Sequence, residues 1–420
     1  MRSPHTRDAT SGPRGPLAGG VLLIENCDFQ AFPPGGQMTF SRQLLRFFGP
    51  RLALVGATCA DDPVGRWIEK RIHGQAVAFL AVGRLDPKPA KPLVPRRLRF
   101  YLQLRRHRRT ILETGVRHAI ILAPETLLAV RGWGLEVCYH FSGVENPLVH
   151  SRYWWARPLA RWFDGAHLRN AGKAHLVMAH ADGPAIDALA ARSNAALPRE
   201  RVLVCPTCVD TVVFQPRSKR AARQTLGLPL EAPLFVATGR INAAKGWDLL
   251  VQAFWHFRRD GGPGLLCFVG DGEDRPQLER TVRALNLEGA VRVAGFQKPE
   301  AVPAFLNAAD VAVFGSHREG WCTAMLEALA CGKPVVSTDV SGARDLIQEG
   351  CNGFVLAQRN PAAFSRAMRS ALALTGAESV SVEVASRYSV DKIGAVMREA
   401  WPALRGNFDT APQGEGAHES

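Results

Sequence analysis

Arg240 and Lys245, five positions apart, and Glu319 and Glu327, eight apart, are the residues whose types and spacing bear most directly on chemistry. The two cations lie in Thr238-Gly239-Arg240-Ile241-Asn242-Ala243-Ala244-Lys245-Gly246, between a predicted strand and a predicted helix. Ligands of doubly wound sheets bind outside the carboxyl ends of the strands, where such a loop lies. Arginine brings a planar fork and lysine a point charge, a pairing suited to a diphosphate; a merely solvated basic loop has the same composition. Glu319 is expected in the loop after a strand over Val311 to Phe314, and Glu327 in a helix that Gly332 and Pro334 terminate. Backbone N–H groups from Trp321 to Ala324 open that helix and offer an anion seat. A carboxylate at the mouth and another inside the helix can accept hydrogen bonds from two hydroxyl-rich parts of one ligand, with a phosphate between them. That pattern describes a sugar nucleotide. The turn Val269-Gly270-Asp271-Gly272-Glu273 is a weaker signal. Asp271, Glu273 and Asp274 have the chemistry of metal ligands, but helix N-termini attract carboxylates in any case.

These loops need strands to hold them. Val21 to Ile24, Leu52 to Val55, Ala119 to Leu122 and Leu135 to Tyr139, ending at His140, read as strands of a first unit. Pro33-Pro34-Gly35-Gly36 breaks the chain before a helix over Gln37 to Phe48, whose Phe40, Leu44, Leu45 and Phe48 share one face. Val202 to Cys205 is a further strand, and residues 206–216 form a connector. A second alternating unit has strands at 234–237, 265–269, 291–293, 311–314 and 334–337. Strands alternating with helices over 420 residues predict an α/β chain with two doubly wound, mostly parallel domains. The boundaries read from the sequence are a disordered leader over 1–20, domains over 21–210 and 211–386, and a polar tail over 406–420.

Composition bounds the partners. With 52 Lys and Arg against 38 Asp and Glu the net charge is +14, which favours nucleic acid, an acidic membrane or a phosphorylated substrate. No recognition helix or RNA-binding motif is evident, so nucleic acid is not expected. No acidic residue stands between Asp86 and Glu113, where Lys88, Lys91 and seven arginines from Arg96 to Arg109 are interleaved with Leu98, Tyr101, Leu102 and Leu104. This is either a solvated helix face or an interfacial helix on anionic lipid, so peripheral membrane contact through 88–109 is an expectation to test. No run of eighteen apolar residues suggests a spanning helix. The nine cysteines, an odd number, read as reduced core thiols with no metal spacing, in a cytoplasmic protein.

On these motifs the chain resembles the retaining glycosyltransferases of family 4, which have the GT-B fold. The likeness runs over nearly the whole chain and is strongest from Leu234 to Leu356. The family's E-x7-E motif is matched by Glu319 and Glu327, its G-R-x4-K-G loop by Gly239, Arg240, Lys245 and Gly246, and its early Gly-Gly loop by Gly35 and Gly36. The resemblance implies two Rossmann-like domains with parallel sheets facing across a cleft, and a terminal helix over 387–405 returning to the first domain. It implies that Arg240 and Lys245 hold a donor diphosphate, that Glu319 binds the transferred sugar and that Glu327 binds the ribose. Gly320, Trp321, Cys322 and Thr323 would contact phosphate or sugar through their backbone, and Gly35 and Gly36 would let their loop approach the donor. His140 matches the family's active-site histidine and would hydrogen-bond the transferred sugar, joining Arg240, Lys245 and Glu319 as catalytic residues. Gly320-Trp321-Cys322 departs from the family's common Gly-Phe-Gly, which leaves the donor open. The implied reaction is retaining transfer of a hexose from a UDP- or GDP-sugar to a saccharide or lipid-linked hydroxyl, with no metal or other cofactor. A non-catalytic nucleotide-sugar-binding protein and a nucleotide-sugar epimerase are the alternatives.

Overall fold

The computed structural model describes residues 20–30, 32, 36–86, 92–143, 146–149, 151, 153–181, 183–205, 207–319 and 321–401. The expected leader up to residue 19, the tail, Gly35, Gly320, the lysines at 88 and 91 and the terminal helix beyond 401 lie outside these residues. The chain divides into two units, the first holding residues up to Cys205 and from Gly394, the second running to Ile393.

The first unit is built on an eight-stranded sheet: β1 (Val21–Ile24), β2 (Leu52–Thr58), β3 (Trp67–Ile72), β4 (Gln75–Arg84), β5 (His118–Ile121), β6 (Glu136–Phe141), β7 (Leu176–Ala179) and β8 (Val202–Val204). The order is β3-β4-β2-β1-β5-β6-β7-β8, with β1 parallel to both β2 and β5. Every residue of β1 is buried, as a central strand covered on both faces requires. The sheet is not wholly parallel: β3 and β4 are antiparallel, joined at His73 and Gly74 with φ of +47° and +82°. Two positive φ values in a two-residue loop give the turn whose twist suits a hairpin. The sequence hides β3 because Glu69, Lys70 and Arg71 interrupt its apolar pattern. The helix Gly36–Phe48 buries Phe40, Leu44, Leu45 and Phe48, the face its spacing predicts. The helix Val390–Ala400 ends in the first unit, where Gly394 packs on Phe47 and Trp401 lies 5.5 Å from the His118 ring.

The second unit carries a six-stranded parallel sheet: β9 (Leu234–Thr238), β10 (Leu265–Val269), β11 (Val291–Val293), β12 (Val311–Phe314), β13 (Val335–Thr338) and β14 (Gly353–Leu356). Its order, β11-β10-β9-β12-β13-β14, reverses direction at β9 and β12. Apolar clusters cover both faces, one around Met325, Leu326 and Leu329 and the other around Phe235, Phe254 and Phe257. The point of reversal separates the loops after β9 and β12, which opens a crevice at their carboxyl ends.

Candidate functional site

The loop after β9 carries Arg240 and Lys245, and the loop after β12 carries Glu319, so the reversal brings the predicted cations and the first glutamate together. Asn242 shapes the first loop by accepting the Lys245 N–H at 3.2 Å, which closes a single turn over Ala243–Lys245. Gly246 then takes φ of +64°, and a Cβ there would strike the Gly315 carbonyl oxygen. A side chain at 246 would therefore push the two loops apart. They are also tied by the His317 N–H, which donates to Ala244 O at 2.9 Å. The helix Trp247–Arg259 starts directly beyond and buries Trp247, Leu250 and Phe254.

Thr238, Gly239, Arg240, Lys245, Ser316 and Glu319 line one cavity, with Cys322 at its edge. Within it Lys245 Nζ lies 2.6 Å from Glu319 Oε1, and the Ser316 hydroxyl donates to that same oxygen at 2.6 Å. Burial alone would lower the Lys245 pKa, but Glu319 outweighs it and holds the ammonium charged above its usual range. Arg240 stands exposed beside the pair. The site thus presents one exposed guanidinium and one ammonium whose partner is a replaceable carboxylate.

Glu327 is half-buried in the helix Thr323–Ala330. Burial pushes its carboxyl up to about 7, with no charged partner among the described residues. The anion seat at this helix is narrower than expected, because the N–H of Thr323 is bonded to Trp321 O at 3.0 Å. Trp321 packs on Gly342, and its ring lies 6.0 Å from that of Tyr388, so its bulk is taken up by local packing. The acidic turn is also spoken for: Asp271 pairs with Arg275 at 2.9 Å, and Asp274 accepts the Trp247 indole N–H at 3.1 Å.

The comparisons with known proteins agree with this geometry. The glycosyl transferases group 1 family matches residues 218–383, the stretch that contains both loops and both glutamates. Residues 218–383 belong to that family. A D-inositol 3-phosphate glycosyltransferase of Geodermatophilus obscurus is 34% identical over 187 residues, covering 41% of this chain and 40% of that one. The chain spans about half the length of the curated relatives it matches, or less. Among solved structures, sucrose-phosphate synthase from Thermosynechococcus elongatus superposes with a TM-score of 0.73 at 20% identity, covering 92% of this chain and 99% of that one. Anabaena HepE in complex with UDP-glucose gives 0.67 at 18% identity, covering 91% and 99%. The fold is GT-B.

The group 1 stretch does not include His140. It lies near the end of β6, as expected, stacked on Phe40 at 4.5 Å, and is 1% exposed. Neither ring nitrogen has a hydrogen-bond partner among the described residues. Burial, with His180 beside it, drives its pKa well below the usual value, and burial pushes His180 down to about 3, so both rings are neutral at neutral pH. His180 and Cys205 directly follow β7 and β8, and with His140 they place three ligand atoms within 4.8 Å of one another. Imidazole and thiol in that arrangement could hold a zinc-like ion. The expectation of no metal spacing fails here, since Cys205 and Cys208 form a Cys-x-x-Cys pair. The expectation of core thiols holds for seven cysteines and fails at the exposed Cys59 and Cys351. Glu25 and Glu125, after β1 and β5, also escaped the sequence reading because neither sits in a motif. Burial, then the Glu125 charge, pushes Glu25 up to about 8, and each carboxyl keeps one buried oxygen without a hydrogen bond among the described residues.

Proposed function

We propose that the chain is a retaining glycosyltransferase that moves a hexose from a UDP- or GDP-sugar to a hydroxyl of a saccharide or lipid-linked acceptor. The observation that carries this reading is the Lys245–Glu319 pair beside Arg240 at the carboxyl ends of β9 and β12. In that reading the donor diphosphate takes Lys245 from Glu319, and the freed carboxylate accepts hydrogen bonds from the sugar. Charge builds on the diphosphate as its bond to the anomeric carbon breaks, and Lys245 and Arg240 stabilise it where water would otherwise have to reorganise. The bonding pair leaves with the diphosphate, the acceptor oxygen bonds to the same face of the carbon, and its proton passes to the departing phosphate oxygen. No step calls for a metal ion.

Support for a hydroxyl-rich acceptor comes from the first unit, where Glu25, Glu125 and His140 have buried polar atoms without partners among the described residues, at the carboxyl edge of the sheet. Relatives named as inositol-phosphate and lipopolysaccharide-core glycosyltransferases support a role in polysaccharide or glycolipid synthesis. That role suits an enzyme of the cytoplasm at the inner membrane face; no described helix is long and apolar enough to cross a membrane.

The Glu327 carboxyl gives the donor reading a pH test. A ribose diol donates hydrogen bonds, so it needs the ionised acid, and a pKa of about 7 leaves half of it protonated at that pH. UDP or GDP affinity measured by calorimetry is expected to fall about tenfold from pH 8 to pH 6. Glu327→Gln should bind weakly and lose that dependence. A wild-type profile that is flat, or one shared by the variant, would remove Glu327 from the ribose site.

A further inference from the structure

The segment 153–162 holds large apolar side chains that the fold leaves in solvent. Trp154 is 77% exposed and Trp162 69%, and Trp155 and Leu159 are exposed beside them. The local structure explains why. The two-turn 3-10 helix Trp154–Leu159 buries only Ala156, and the following helix buries Ala160, Asp164, His167 and Leu168, opposite the side that carries Trp162.

A second exposed apolar segment adjoins the first. The helix Arg96–Arg106 buries Phe100 and Leu104 and turns Leu98 and Leu102 outward, while Leu93 before it is 98% exposed. The Tyr153 hydroxyl donates to Pro92 O at 2.7 Å, which holds the two segments together. Neither 87–112 nor 151–163 contains an acidic residue, whereas Arg99, Arg105, Arg106, Arg157 and Arg161 are exposed. Exposed tryptophan within a one-sign basic field is the composition of a surface that meets lipid headgroups.

We propose that this face binds an anionic bilayer, with Trp154 and Trp162 seated at headgroup level and the surrounding arginines on lipid phosphates. Charge argues against a second copy of the chain as the occupant, because two such faces would set arginines against arginines. Each arginine near an anionic surface adds attraction, and the indole rings add apolar contact that salt does not screen. The proposal goes beyond glycosyl transfer and holds whether or not the donor site works as described.

The test is sedimentation of the full chain with vesicles of phosphatidylcholine alone or mixed with phosphatidylglycerol. Binding to the anionic vesicles only is expected. Trp154→Ser/Trp162→Ser should weaken it about tenfold or more with an unchanged thermal melt. Arg157→Gln/Arg161→Gln should weaken it about tenfold at low salt and much less at high salt. Equal binding to neutral vesicles, no binding to either, or a tryptophan variant that binds like the wild type would overturn the proposal. So would light scattering that shows the tryptophan variant turning a dimer into a monomer, since the face would then be a self-association surface.

Discussion

Lys245→Ala is expected to lower kcat for glycosyl transfer by about 10²–10³, the usual loss when one preorganised group that stabilises developing charge is removed. The size follows from where Lys245 stands. Its ammonium faces Glu319 at 2.6 Å, and the turn capped by Asn242 fixes the backbone that carries it. Little reorganisation is then needed when a diphosphate replaces the carboxylate. Lys245→Arg keeps the charge but offers a planar fork where a point charge fits, so partial recovery is expected. The variant leaves Glu319, whose side chain is 11% exposed, bonded to the Ser316 hydroxyl but without its cation, so some loss of stability is expected with it. Steady-state kinetics well below the melting temperatures of both proteins read the effect on turnover. Turnover within about threefold of wild type would mean that the leaving diphosphate sits elsewhere.

The largest effect on stability is expected at Arg223, a 1%-exposed guanidinium in the second unit. Its Nη1 donates to the carbonyls of Pro229, Leu230 and Ala232, its Nε to Ala308 O at 2.9 Å and its Nη2 to Asp310 at 2.6 Å. Asp310 in turn accepts the Leu234 N–H at the start of β9 and pairs with Lys219. Removing the guanidinium leaves several buried acceptors unpaired at once. Arg223→Met is therefore expected to destabilise the protein by about 3–5 kcal/mol, read as a lowered denaturation midpoint. Burial alone would raise the Asp310 pKa, but the Lys219 hydrogen bond, the Leu234 N–H and the Arg223 charge outweigh it and hold it below 3.8. Its contribution is thus fully present above that pH and is lost as pH falls through the lowered value. A change under about 1 kcal/mol would show that water or rearranged loops satisfy the carbonyls instead.

Much of this was legible in the residues themselves. β9, β10 and β12 are short, mainly apolar runs, and Arg240, Lys245 and Glu319 lie in the loops that follow β9 and β12. A strand buried on both faces announces itself in that way. The β3–β4 hairpin did not, because an edge strand tolerates the charges Glu69, Lys70 and Arg71 on its open side. The pairing of Lys245 with Glu319 was out of reach for a different reason. It depends on β9 and β12 being neighbours, which strand order decides and local sequence does not. His140, His180 and Cys205 gather by the same rule, each from a different strand end and with no shared motif. The exposed tryptophans of 154–162 were equally hidden, since a tryptophan in sequence is more often core than surface.

The most direct test of the donor site is release of nucleoside diphosphate from a panel of UDP- and GDP-hexoses, with and without candidate acceptors. Wild type, Lys245→Ala and Glu319→Ala would be run side by side. One donor turned over by the wild type, and by neither variant at more than about a hundredth of its rate, is the expected result. Turnover retained in both variants, or tight nucleotide binding with no turnover of any donor, would contradict glycosyl transfer at this site and leave a binding protein in its place.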